Sequence, residues 1–146
     1  DKVTLKDNLF SGNTMKIMRF ASIVLVVVLQ ACVSRPSLEE IKNADYGPKP
    51  ENPTNIAEEW IKNQLVDPYS AQFEHWSLTR GYTSIFNDTK FGWVQCGTVN
   101  AKNRMGGYVG RQIYFVTIRY GVVVQGRIDS PSDEYFRPAR NICGGV

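Results

Sequence analysis

Between Phe91 and Ile128 the chain carries two long runs rich in β-branched and aromatic residues, joined by a Gly-rich polar loop and followed by a third, short apolar run. Along Phe91–Asn100, the residues Phe91, Trp93, Gln95, Gly97 and Val99 fall on one face of a strand, and Gly92, Val94, Cys96 and Thr98 on the other. Arg111–Tyr120 contains Ile113, Tyr114, Phe115, Val116, Thr117 and Ile118, which suit a pleated surface better than a helix. Gly121 permits a tight reversal into a further strand over Val122–Gly126. Upstream, Ala71–Thr79 reads as a first strand, with Phe73, His75 and Ser77 on one side and Gln72, Glu74, Trp76 and Leu78 on the other. That imperfect alternation fits a sheet edge, where both faces are partly wet. Arg80-Gly81 breaks the run, and Gly81–Lys90 is expected to be a connection with Asn87-Asp88 at its tip.

Ahead of these strands the apolar period changes to three and four. Ile56, Ala57, Trp60, Ile61, Gln64 and Leu65 form one helical stripe, which Pro68 ends. Thr54 or Asn55 is the expected N-cap and Glu58 the capping-box partner. Trp60, on the stripe with Ile56 and Ile61, is read as core. One N-terminal helix packed on a three- to four-stranded antiparallel sheet gives a two-layer α+β domain over residues 54–146. At about 95 residues its core is small and benefits from a staple.

The N-terminal third has a different character. Residues 1–14 show no useful periodicity and read as an upstream extension or artefact. Residues 15–31 open with Met15-Lys16-Ile17-Met18-Arg19 and continue into the apolar run Phe20–Leu29, ten residues long. That is roughly half of what a bilayer-spanning helix requires, so the segment reads as a signal peptide. Its end, Leu29-Gln30-Ala31-Cys32, resembles the lipobox of bacterial lipoprotein precursors. The resemblance implies a diacylglycerol-modified Cys32 as the first mature residue, with the bilayer as a partner. By the same resemblance, Val33 rather than Asp after the cysteine points to the outer membrane, facing the periplasm. Residues 32–53, with Pro36, Gly47, Pro48, Pro50 and Pro53, read as an extended or irregular tether.

The formal charge is +3, but from Cys32 onward 13 Lys/Arg face 12 Asp/Glu. So small a balance gives no reason to expect nucleic-acid binding. Six acids lie in residues 39–59 and six bases in residues 88–127, a polarity that serves either solubility or a partner surface. With Cys32 lipidated, Cys96 and Cys143 remain as an even pair, which favours a disulfide in an exported protein. The alternative is two separate thiols, with Cys96 a small buried hydrophobe.

Catalytic patterns are scarce. His75 is the single histidine, so no multi-histidine metal site is expected, and no Cys-x-x-Cys accompanies it. Nothing in the spacing of Ser70, Ser77, Asp67 and Asp88 marks a nucleophile with its partners, and no cofactor motif is present. No catalytic residue is therefore assigned. The alternative is an envelope hydrolase using His75 with a nearby carboxylate. The loop Asn100–Gly110 is the stronger candidate for function, as a binding surface. Asn100 and Asn103 suit Asx-turns, Gly106, Gly107 and Gly110 permit special turns, and Lys102, Arg104, Tyr108 and Arg111 offer contacts. Its order lacks the glycine–lysine pattern of a phosphate loop.

Asp67-Pro68-Tyr69-Ser70-Ala71, Asn100-Ala101-Lys102-Asn103 and Gly106-Gly107-Tyr108-Val109-Gly110 together resemble a family of small bacterial envelope lipoproteins without an assigned biochemical function. The likeness spans most of residues 44–124 and departs from the family at Tyr69, where an acidic residue is commoner. It specifies no reaction. The reading that follows from the anchor and the loop together is a lipid-anchored envelope protein with a binding or structural role, contacting an envelope protein, another envelope component or a secreted macromolecule through the loop at 100–111.

Overall fold

The computed structural model describes residues 35–130 and 137–144. The expected upstream extension (1–14), the expected signal peptide (15–31) and Cys32 lie outside the described residues. The elements run α1 (Leu38–Asn43), α2 (Pro53–Lys62), β1 (Asp67–Ile85), β2 (Asp88–Lys102), β3 (Gln112–Arg119), β4 (Val122–Ile128) and α3 (Pro138–Cys143). The strands form one antiparallel sheet in sequence order. A fourth pairing, a single bridge, joins Lys102 to Tyr108.

This is an α+β domain with helices packed against an antiparallel sheet, but the expected single helix in two layers is corrected. Alternate residues of β3 feed two separate cores. Tyr114, Val116 and Ile118 pack with Val99 and with Ala57 and Ile61 of α2. Phe115 packs with Val94 and Cys96 and with Ala139 and Cys143 of α3. The sheet is therefore covered on both faces. A sequence with only one apolar helical stripe concealed this, because α3 is six residues long and is held by something other than its periodicity. Cys96 and Cys143 are disulfide-bonded, with Cα atoms 5.9 Å apart across a 47-residue separation, and Asp129 caps the helix by accepting from the N–H groups of Ala139 and Arg140. Pro138 stands in its first turn, where a missing N–H costs nothing.

Two further expectations change. The connection at 81–90 is strand: β1 runs on to Ile85, and the turn is Phe86-Asn87, both at positive φ, as a two-residue hairpin turn requires. The lead-in at 36–53, expected to be irregular, holds α1, closed by a capping box in which Ser37 and Glu40 exchange hydrogen bonds. Residues 45–47 then dock on the domain. Tyr46 meets the Phe91 ring edge-on at 5.7 Å, Trp93 Nε1 donates to Gly47 O, and Tyr120 donates to Asp45. Helix α2 begins at Pro53 with Asn52 as N-cap, so Glu58 is free of the capping role assigned to it. Trp60 lies so close to Gly126 that a Cβ there would stand 2.9 Å from its ring, and it packs, partly buried, against the core.

The middle strand has two glycines that matter. At Gly97 and Gly92 an added Cβ would run into the backbone of β1 and of β3 respectively. Each lets side chains from the flanking strands approach over the strand between them. Over Gly97, His75 of β1 meets Tyr114 of β3, both being its register partners.

Candidate functional site

The loop predicted as a contact surface leaves β2 at Lys102 and rejoins the sheet at Gln112. It is fixed from within. Asn103 Oδ1 accepts from the N–H groups of Met105 and Gly107 at 2.9 and 3.1 Å, and Asn100 Oδ1 accepts from Gly110 N–H at 3.0 Å. Backbone bonds from Gly106 to Asn103 and from Val109 to Ala101 complete the frame. Both asparagines thus act as internal struts. Lys102 lies over the Tyr108 ring at 5.4 Å, and the Tyr108 hydroxyl accepts from Gln72. Arg111 pairs with Glu74 at 3.2 Å, with both side chains largely in water. Arg104 and Met105 are exposed at the tip, Met105 by 94 %. The structure brings Asn100, Lys102, Asn103, Arg104, Tyr108 and Arg111 to one end of the sheet.

The second region was not legible as a unit. His75 Nε2 stands 3.0 Å from Glu58 Oε1, and His75 Nδ1 stands 2.6 Å from the Tyr114 hydroxyl. Glu58 Oε2 accepts from Lys62 Nζ at 2.9 Å, one helical turn on. The Lys62 hydrogen bond leads, with help from His75, in holding the Glu58 carboxyl below its ordinary range against a partial cost of burial. Burial pushes the Tyr114 phenol above its ordinary range, and the Glu58 charge adds to this. An ionised Glu58 only accepts and a protonated Tyr114 donates. A neutral His75 with its hydrogen on Nε2 therefore satisfies both neighbours. The result is a continuous chain, Lys62–Glu58–His75–Tyr114, tying α2 to β1 and β3.

The hydrolase alternative asks for a carboxylate near His75, and Glu58 supplies one. Its position does not lead outward. Both ring nitrogens of His75 are engaged, and Tyr114 is fully buried. Glu58 alone of the three lines an external groove. That groove, about 670 Å³, lies between α2 and the start of β1. Asn55, Glu59, Lys62, Asn63 and Tyr69 share its walls, and none of them had been singled out from the sequence as a site residue. The signal that could have found the relay was the glycine: Gly97 opposite His75 on one side and Tyr114 on the other.

Among the described residues no group of three or more His, Cys, Asp or Glu is arranged to hold a metal ion, and no helix is long and apolar enough to cross a membrane. No family model, no curated protein and no solved structure matches the chain.

Proposed function

We propose that this chain is a lipid-anchored protein of the bacterial envelope, held through Cys32 at the outer membrane on its periplasmic side, and that it binds an envelope protein or other envelope component through the loop at 100–111. One observation carries the reading: the lead-in from the anchor and the loop lie at opposite ends of the sheet. Residues 45–47 are bonded to Trp93 and Tyr120, and Lys102 is nine residues further along β2, about 30 Å away at the usual strand rise. A domain tethered through its lead-in keeps its attachment point and its loop at opposite ends of the sheet. The tether is short, because α1 and the docked residues 45–47 take up most of the segment. Cys32 to Ser37 reaches at most about 17 Å.

Support for an exported setting comes from the Cys96–Cys143 disulfide, since such bonds persist in oxidising compartments. The rigid frame of the loop suits recognition, because a preorganised surface loses less entropy on binding. The hydrolase alternative has its carboxylate but lacks a substrate-facing nitrogen on His75.

The test is affinity capture from envelope extract with the native chain and with a Lys102→Ala/Arg104→Ala variant. The native chain should retain a partner that the variant loses, while both keep the same thermal transition. Equal capture by the two would remove the loop from consideration. The same preparation with Cys32→Ser should move the protein to the soluble fraction, and continued membrane association would contradict the anchor.

A further inference from the structure

We propose that the groove between α2 and the start of β1 is a carbohydrate site, taking a neutral glycan chain across Tyr69. Tyr69 is fully exposed, and it is not there by looseness. The turn that presents it is bonded three times: Ser70 N–H donates to Asp67 Oδ1, Ser70 Oγ donates to Asp67 O, and the Lys102 N–H donates to Ser70 Oγ. A solvent-facing aromatic ring carried on a bonded turn, with no apolar cover, offers the flat face on which the C–H side of a pyranose ring rests.

The rest of the wall is built for hydroxyl groups. Among the described residues the side chains of Asn55, Glu59 and Asn63 make no hydrogen bond, nor does the Tyr69 phenol, so donors and acceptors of both kinds stand uncommitted around one groove. Glu58 is oriented by Lys62 and His75 through one oxygen each. A carboxylate has about four lone-pair positions, which leaves acceptor capacity directed at a ligand. Amides and carboxylates together suit vicinal hydroxyls, which donate and accept at once.

Charge selects against the other polar ligands. Glu58 and Lys62 neutralise one another, leaving Glu59 as the one uncompensated charge on the walls. The groove has no cationic surplus to attract a phosphate or polyanion, and a single acid is a weak lure for a basic peptide. Its volume of about 670 Å³ falls inside the roughly 300–1,000 Å³ usual for ligand sites. The groove's lining residues include none of the loop at 100–111, although the turn that carries Tyr69 is bonded to the loop's base at Lys102.

The experiment is calorimetric titration of the full chain with the β-1,4-linked tetramer of N-acetylglucosamine and with maltotetraose, with tetralysine as the competing class. Saturable binding of either sugar is the expected result. Tyr69→Ala should weaken it about tenfold, equivalent to about 1.4 kcal/mol, and Asn63→Ala should weaken it several-fold. Lys90→Ala, at the far end of the β1–β2 pair, should leave it unchanged. Tyr69 is wholly in solvent, so an unchanged circular dichroism spectrum is expected for its variant. The proposal is overturned by failure of both sugars to bind, by equal sugar affinity in Tyr69→Ala, or by tetralysine binding in their place.

Discussion

Glu58 stands between two donors, Lys62 at 2.9 Å and His75 at 3.0 Å, with its side chain 29 % exposed. Its carboxyl titrates below the ordinary 4.5 in the folded chain. A depressed folded pKa means a contribution that is complete above the unfolded value and is lost as pH falls through the folded one. Glu58→Gln keeps the shape and removes the charge. It should cost about 1 kcal/mol near neutral pH, with solvent screening already allowed for. The cost should shrink as the pH falls below 4.5 and through the lower folded value. Urea unfolding of both proteins at pH 7 and pH 3, as round working values, measures the difference. An equal penalty at the two pH values would show that the carboxylate's charge is not the source. The sequence hid this role. Glu58 sits three residues after Asn55, a spacing that reads locally as a capping box, whereas its real partner His75 comes from a strand 17 residues on.

Strands and helices were legible in proportion to how far local pattern decides them. The two faces of β2 were readable because successive side chains point to opposite sides of any strand, once its β-branched and aromatic run marks it as one. The α2 stripe was readable because Ala57 and Ile61 are buried at helical spacing. Boundaries were lost where a single residue decides them: Asn52-Pro53 at the start of α2, and Phe86-Asn87 at a hairpin turn that lacks the usual glycine. The short helices were lost for opposite reasons. Ser37-x-x-Glu40 was present as a signal for α1 but was outweighed by the surrounding prolines, while α3 depends on Asp129 and a disulfide from outside its own span. At this scale Gly97 is the decisive position, since a side chain there would meet β1 backbone and the Tyr114 hydroxyl together. Gly97→Ala should destabilise the domain by about 3 kcal/mol through overpacking and should break the His75–Tyr114 contact. Chemical denaturation gives the first, and the His75 ring signals in a proton NMR spectrum give the second. A variant with native stability and native ring signals would mean that β1 moves aside at no cost.

For the whole molecule, the covered second face is the feature that local pattern reading could not reach. Helix α3 contributes Ala139 and Cys143 to a core with Val94, Cys96 and Phe115, and six residues of helix cannot hold that position by propensity alone. The Cys96–Cys143 bond and Asp129 hold it instead. Closing a 47-residue span contributes roughly 3–4 kcal/mol in the chain-entropy account. Reduction should therefore lower the thermal midpoint by many degrees, and it should expose the Phe115 face to a hydrophobic dye before α2 and its face of the sheet are lost. Calorimetry with and without reductant checks the first, and dye binding below the transition checks the second. Simultaneous loss of both faces would mean that the two cores unfold as one.

The same bond also fixes an order in time. A chain synthesised N-terminus first delivers Cys96 well before Cys143, and the four strands β1 to β4 lie ahead of the later cysteine. The thiol of Cys96 must then wait, unpaired, while the sheet that will surround it is already assembling. Oxidation becomes the closing act of maturation rather than its guide, and it requires that β2 leave Cys96 reachable until the last helix arrives.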